Sequence, residues 1–182
     1  MIEVEVKARA PEDIVERIAA LGAEFKVVEN HHDLYFNSPI RDFKESDEAL
    51  RIRIKEDGAR LTYKGPKLDL STKSRRELTV KIDDHQQMKE ILCSLGYVLS
   101  AQVKKRRSKY AYQGAVLALD EVEGLGRFIE VEAEGSGDYE DEREKVLAIM
   151  GRLGLTESIR SSYLELLEES ELGLAAGKRE KI

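Results

Sequence analysis

The sequence predicts an α+β fold, with antiparallel strands on which amphipathic helices pack. Three observations lead there. Eight segments alternate apolar and polar residues, turn dipeptides separate several of them, and four stretches carry apolar residues at helical spacing. At 182 residues the chain suits a single domain of ordinary size with a substantial core, taken as residues 1–170.

The elements follow in order. In IEVEVKA, Ile2, Val4 and Val6 alternate with Glu3, Glu5 and Lys7. Residues 11–21 form a helix: Pro11 suits the first turn, Ile14, Ile18 and Leu21 make the apolar stripe, and Gly22 stops it. The strands HDLYFN, ALRIRI and RLTYKG come next, the last two joined by a hairpin turn at Asp57-Gly58. RRELTVKI precedes a second helix over 84–95, which sets Met88, Ile91, Leu92 and Leu95 on one face and ends at Gly96. KKRRSKYAY, AVLALDEV and RFIEVEAE complete the strands, divided by Gln113-Gly114 and by Gly124 to Gly126. Two more amphipathic stretches cover 140–153 and 157–169, the latter with Ile159, Tyr163, Leu166 and Leu167. Residues 171–182 lack periodicity and read as a flexible tail. A shift of 74 positions lays Glu3 on Glu77, Val6 on Val80, Lys7 on Lys81 and Gly22 on Gly96. Each half thus begins strand, helix, glycine stop, which suggests a duplicated unit and two similar sheets within one domain.

Composition narrows the function. Charged residues make up 36% and hydrophobic residues 41%, with both signs of charge mixed, which argues against disorder. A net charge of −6 argues against a non-specific nucleic-acid binder but leaves room for a local basic cluster holding a small polyanion. The single cysteine, Cys93, allows no disulfide within the chain and points to the reducing cytoplasm; it reads as a small buried hydrophobe. No apolar run reaches the length of a membrane span, and no signal-peptide pattern opens the chain.

The polar faces of the strands are mostly charged. They carry Glu3, Glu5 and Lys7; Arg51, Arg53 and Lys55; Thr62 and Lys64; Arg75, Glu77 and Thr79; Lys105, Arg107 and Lys109; Ala118 and Asp120; Glu130 and Glu132. The helices need the aliphatic faces as partners, so the charged faces look the other way. They face water across an open sheet, or one another inside a barrel, which eight strands suffice to close. Crowded carboxylates imply a cation, and a hard divalent ion such as Mg²⁺ or Mn²⁺ suits them. Crowded Lys and Arg imply an anion, and phosphate oxygens suit them. Metal plus polyphosphate satisfies both clusters. A solvated sheet face is the alternative. Neither GxxxxGK[ST] nor GxGxxG is present, and no Cys/His set suggests zinc.

Glu3-x-Glu5-x-Lys7 resembles the ExExK signature of the CYTH superfamily, the triphosphate tunnel metalloenzymes. The resemblance continues in order through HDLYFNSP, ALRIRI, LTYKGPK, KKRRSKY, LDEVEGLGRFIEVE and SYLELL, over about residues 1–168, and is most similar to the class IV adenylyl cyclase branch. It implies an eight-stranded antiparallel β-barrel with amphipathic helices packed outside, and a tunnel that binds triphosphate with a divalent metal, Mg²⁺ or Mn²⁺. It implies Glu3, Glu5, Asp120, Glu130 and Glu132 on the metal side, and Lys7, Arg51, Arg53, Lys64, Arg75, Lys105 and Arg107 as triphosphate ligands, with Glu77 also in the tunnel. Lys7, Glu5 and Glu130 are the catalytic residues so implied. Lys67 follows Pro66 and is read as a loop residue outside this set. His31 and His32 read as surface residues, Asp33 and Tyr35 as structural, and Lys81, Lys104 and Arg106 as pointing to solvent.

The resemblance makes ATP cyclisation to cyclic AMP and pyrophosphate the first expectation. Hydrolysis of inorganic triphosphate, thiamine triphosphate or a nucleoside triphosphate is the second, and a non-catalytic polyphosphate-binding module the third. The expected partner is a small-molecule triphosphate, neither nucleic acid nor membrane, with a homodimer left open.

Overall fold

The structure, a computed structural model, describes residues 2–68, 75–133 and 138–170. Its strands are β1 (Ile2–Glu3), β2 (Glu5–Arg9), β3 (Glu24–Asn37), β4 (Ala49–Lys55), β5 (Gly58–Lys67), β6 (Arg75–Ile82), β7 (Val98–Tyr112), β8 (Ala115–Val122) and β9 (Gly126–Ala133). Its helices are α1 (Ile14–Ala20), α2 (His85–Ser94), α3 (Tyr139–Arg152) and a last helix, α4, over 163–170.

All strands join one antiparallel sheet in the order β1-β6-β5-β4-β3-β7-β8-β9-β2. The two ends of that order, β1 and β2, are successive parts of one N-terminal strand interrupted at Val4. Glu3 is registered with Arg75 on β6, while Glu5 is registered with Glu132 on β9. Counted as one, they make the expected eight strands. The sheet curls so that the N-terminal strand meets both of its ends. A single continuous sheet replaces the two similar sheets suggested by the 74-residue shift.

Binary patterning explains the outer packing. Val4, Val6, Ala8, Leu117, Leu119, Ile129 and Val131 pack with Ile14 and Ile18 of α1 and with Val146, Ile149 and Met150 of α3. On the other side Leu34, Phe36 and Ile52 pack with Leu92 of α2. Helix α2 is started by Asp84, whose carboxylate accepts hydrogen bonds from the amides of Gln86 and Gln87. The hairpin β7–β8 turns through Gln113 and Gly114, both at positive φ (49° and 72°), the backbone of a tight hairpin that matches strand twist.

Helix α4 is placed differently from the other three. Its Tyr163 packs with Tyr35, Val103, Val122 and Phe128, residues of the charged face's own parity, so it covers one end of the curled sheet from within. Ile159 precedes the helix, and its amide donates to the Lys7 carbonyl at 2.7 Å.

Some expectations are corrected. β3 begins eight residues before HDLYFN, because Glu24 onward pairs with β7 across a register shift between Phe25 and Val27 that hides the alternation. Cys93 is exposed, being one residue past the Leu92 that α2 turns inward. Lys67 belongs to β5 and not to a loop. The tail at 171–182 lies outside the described residues. No helix among the described residues is long and apolar enough to cross a membrane.

The duplicated pattern does not extend to environment: Val6 is 2% exposed under α1 and α3, whereas Val80 is 57% exposed. Val6→Ala is therefore expected to lower unfolding free energy by about 2 kcal/mol or more, since it deletes buried methyl groups and leaves a cavity. Val80→Ala should change it by roughly 0.5 kcal/mol or less. Urea denaturation followed by circular dichroism checks both.

Candidate active site

The inner face of the curled sheet is built by alternation. On β7, Lys105 and Arg107 are buried while Lys104 and Arg106 are exposed, as the strand period requires. Register then sets partners. Arg107 lies opposite Asp120 on β8, and its Nε and Nη2 donate to Asp120 Oδ1 and Oδ2, both at 2.6 Å. Lys105 Nζ and the Tyr163 hydroxyl each donate to Asp120 Oδ2 at 2.8 Å. Arg107 also bonds Glu130 on β9. Asp120 is fully buried. Burial pushes its carboxyl up, but Lys105 and Arg107 override that and hold it below the usual range. Burial and the neighbouring Arg107 push Lys105 down to about 8, against Asp120 and Glu130. Burial together with Glu130 and Asp120 raises the Tyr163 phenol well above its ordinary value, so it stays a donor.

Four more charge clusters line the same face. Asp33 accepts from Arg53 Nε and Nη2, both at 2.7 Å, with Arg51 Nη1 at 3.8 Å. Lys64 bonds Glu77, its opposite on β6. Lys67 Nζ donates to Asp47 Oδ1 at 2.5 Å, and Arg75 Nη2 lies 3.8 Å from the same oxygen. Glu29 receives Lys55 Nζ at 2.7 Å, Lys109 Nζ at 2.9 Å and His31 Nε2 at 2.8 Å. Burial opposes ionisation of Glu29, but those three partners hold its carboxyl far below the usual range.

A cavity of about 270 Å³ runs along this face. Its walls include Glu5, Arg51, Arg53, Lys64, Arg75, Glu77, Lys105, Arg107 and Glu130, with Asp47, Ser162, Tyr163 and Glu165 at one end. The predicted triphosphate ligands are thus gathered, Lys7 excepted. Lys7 is fully buried: its Nζ donates to the Ser161 carbonyl and sits 4.2 Å from the Tyr163 ring centroid and 5.7 Å from that of Phe128.

The metal-side carboxylates share the face without converging. Glu5 and Glu132 are directly opposite on β2 and β9, and Glu130 lies two residues along, opposite Lys7. Like charges directly opposite on adjacent strands repel, and hard oxygen donors of this kind fit a divalent cation. Among the described residues, no three His, Cys, Asp or Glu side chains are close enough together to hold an ion. The side chain of Glu3 lies outside the described residues.

Several buried polar residues go beyond the sequence reading. His31 is 4% exposed and not at the surface, and Asp33 is a charge partner of two arginines. The signal was available, since Glu29, His31, Asp33 and Tyr35 share one parity on β3 and face Arg107 and Lys105 across the β7 register. Tyr163 read as part of a helix stripe because nothing in its spacing reveals the hydroxyl's partner. Asp47, at φ +52° in the β3–β4 connection, carried no periodic signal.

Acid sensitivity follows from these shifts. Burial and the cations Arg53 and Lys105 push His31 down to about 3, against the Glu29 hydrogen bond. The unfolded chain then binds a proton near pH 6.5 that the folded chain refuses, so stability falls as pH drops from about 7 toward 3. Glu29 and Asp33, both depressed, add losses of the same sign below about pH 4.5. Urea midpoints are expected to decline between pH 7 and pH 5 in the wild type and to stay nearly flat over that interval in His31→Phe.

The sequence and fold have counterparts among known proteins. A Methanocaldococcus jannaschii protein named as a candidate adenylate cyclase, MJ0240, is 40% identical over 172 residues, 91% of this chain and 98% of that one. Adenylate cyclase CyaB of Aeromonas hydrophila is 30% identical over 160 residues, 84% of this chain and 81% of that one. The structure of the PH1819 protein from Pyrococcus horikoshii OT3 matches with a TM-score of 0.86 at 43% identity, covering 92% of this chain and 98% of the other. The sequence profile of the CYTH domain matches residues 1–163, nearly the whole described fold, and the chain belongs to the CYTH domain family.

Proposed function

We propose that this chain is a divalent-metal-dependent enzyme that binds a triphosphate within the curled sheet and converts ATP to 3′,5′-cyclic AMP and pyrophosphate. The observation that carries the reading is the cavity wall itself: Arg51, Arg53, Lys64, Arg75, Lys105 and Arg107 face one 270 Å³ space. Phosphate oxygens are the anions that such a set of fork-shaped and point-charge donors fits.

The proposed roles are supported by that wall and by the resemblance to the family. Arg51, Arg53, Lys64, Arg75, Lys105 and Arg107 bind and orient the phosphates. Asp33 and Asp120 hold Arg53 and Arg107 by paired hydrogen bonds, which fixes the planes of the two guanidinium groups. Glu3, Glu5, Glu130 and Glu132, with Asp120 beside them, are the carboxylates proposed for Mg²⁺ or Mn²⁺. A bound divalent ion there supplies neutralisation of phosphate charge and activation of the attacking oxygen. Lys7, Glu5 and Glu130 are assigned to the reacting end; β2 and β9 bring Lys7 and Glu130 opposite each other. Helix α4 and Tyr163 exclude water from their end of the cavity, which suits attack by the ribose 3′ oxygen on the α-phosphorus. A water molecule attacking the terminal phosphorus would make the same wall a triphosphatase. The names of the two curated relatives, 40% and 30% identical, support the cyclase.

Incubation with ATP and Mg²⁺ or Mn²⁺ is expected to give cyclic AMP and pyrophosphate in equal amounts, with all activity lost in EDTA. Orthophosphate without cyclic nucleotide would replace the cyclase by the triphosphatase, and activity surviving chelation would remove the metal from the mechanism.

Glu130→Gln is expected to abolish turnover while leaving the far-ultraviolet circular dichroism unchanged. Arg107→Lys keeps a charge beside Asp120 but loses the paired geometry, and should lower kcat/KM by about ten- to a hundredfold. Arg106→Ala, on the outer face, should stay within about twofold. Equal impairment at 106 and 107 would overturn the assignment of the β7 face.

A further inference from the structure

We propose that the end of the inner cavity walled by Tyr35, Phe43, Ala49 and Leu164 is a ring subsite, which holds the aromatic group of an organic triphosphate while the phosphates lie against the strand cations. The inference rests on the proposed function and adds the place of the organic group.

The cavity has two kinds of wall. Arg51, Arg53, Lys64, Lys105 and Arg107 belong to one, and Tyr35, Phe43, Ala49 and Leu164 make the other. Strand register joins them. Tyr35 is opposite Arg51 on β4, and Ala49 is opposite Lys64 on β5, so the apolar strip begins beside the cations. Tyr35, Ala49 and Leu164 pack with Tyr163 in one cluster. Phe43 comes from the β3–β4 connection, where its amide donates to Asn37 Oδ1 at 2.9 Å and its ring lies 6.4 Å from that of Tyr97. Phe43 is 6% exposed, so the connection fixes this part of the wall before a ligand arrives.

Such a strip does nothing for inorganic triphosphate. The surface of that ion is charged oxygen, and apolar side chains gain nothing by facing it, whereas an aromatic ring taken out of water against them does. This end is also poor in available positive charge, since its lysines are already paired, Lys44 with Glu168 and Lys67 with Asp47. Asp42 and Glu165 add carboxylates to the same part of the wall. Carboxylates repel further phosphate and suit a ring that carries amino donors or a positive charge. The base of a nucleoside triphosphate has the first, and the thiazolium of thiamine triphosphate has the second. A cationic wall continuous with an apolar one fits an organic group joined to a phosphate chain.

Titration calorimetry in EDTA, where no metal supports turnover, tests this with ATP, thiamine triphosphate and inorganic triphosphate. Ala49→Leu fills the subsite and leaves the cations in place. It is expected to weaken a ring-bearing ligand about tenfold and to keep inorganic triphosphate within about twofold. Leu164→Ala removes apolar surface without adding bulk, and should weaken the same ligand about three- to fivefold. Selective loss of ATP names a nucleoside as the organic group, and selective loss of thiamine triphosphate names thiamine. Equal weakening of ring-bearing and inorganic ligands by both variants, or no weakening by either, overturns the inference. Wild-type protein that binds inorganic triphosphate alone overturns it as well. Wild-type protein that binds none of the three overturns the triphosphate reading beneath it.

Discussion

Charged side chains on the concave side of a curled sheet cannot relax into bulk water, and this constraint governs the rest of the molecule. An ion moved into such an interior is stable only with a counter-ion in good geometry and its remaining lone pairs or protons satisfied. Asp120 shows the solution most fully. It is completely buried, yet it receives hydrogen bonds from Arg107, Lys105 and Tyr163. Arg107 in turn reaches Glu130, and Lys105 packs 4.8 Å from the Tyr163 ring centroid. Strand register makes these meetings unavoidable, because one residue of slip would send every partner to the outer face.

That interior network is also what makes the cavity suited to a polyanion. The cations are already desolvated and already oriented by carboxylates, so a phosphate chain meets donors that need little reorganisation. The carboxylates differ in what they hold. Asp33 and Asp120 form paired hydrogen bonds with guanidinium groups and act as fixed supports. Asp47, in the β3–β4 connection, takes Lys67 at the cavity's end, where a loop side chain stands against the strand cations. Tyr163 and the Ser161 carbonyl tie α4 to Lys7, which couples the N-terminal strand to the C-terminal helix across the length of the chain.

Much of this was legible in the sequence, for reasons that particular residues show. Alternation in KKRRSKY separates Lys105 and Arg107 from Lys104 and Arg106, and burial follows that division. Alternation in FIEVE sets Glu130, on the cavity wall, apart from Ile129 and Val131, in the core under the helices. Closure was not legible from spacing, because nothing in IEVEVKA indicates that the strand changes partners at Val4. The first half of β3 was hidden by a register shift between Phe25 and Val27, and with it went Glu29 and the burial of His31. Val80 and Val6 match in sequence but not in environment, since only Val6 has helices above it.

The central claim is that the inward face holds a triphosphate. Crystals soaked with inorganic triphosphate and Mn²⁺ test it most directly. The account predicts triphosphate density in contact with Arg51, Arg53, Lys105 and Arg107, and anomalous signal from manganese beside Glu5, Glu130 and Glu132. Triphosphate bound instead on the outer face near Lys104 and Arg106, with an unchanged interior, would contradict it.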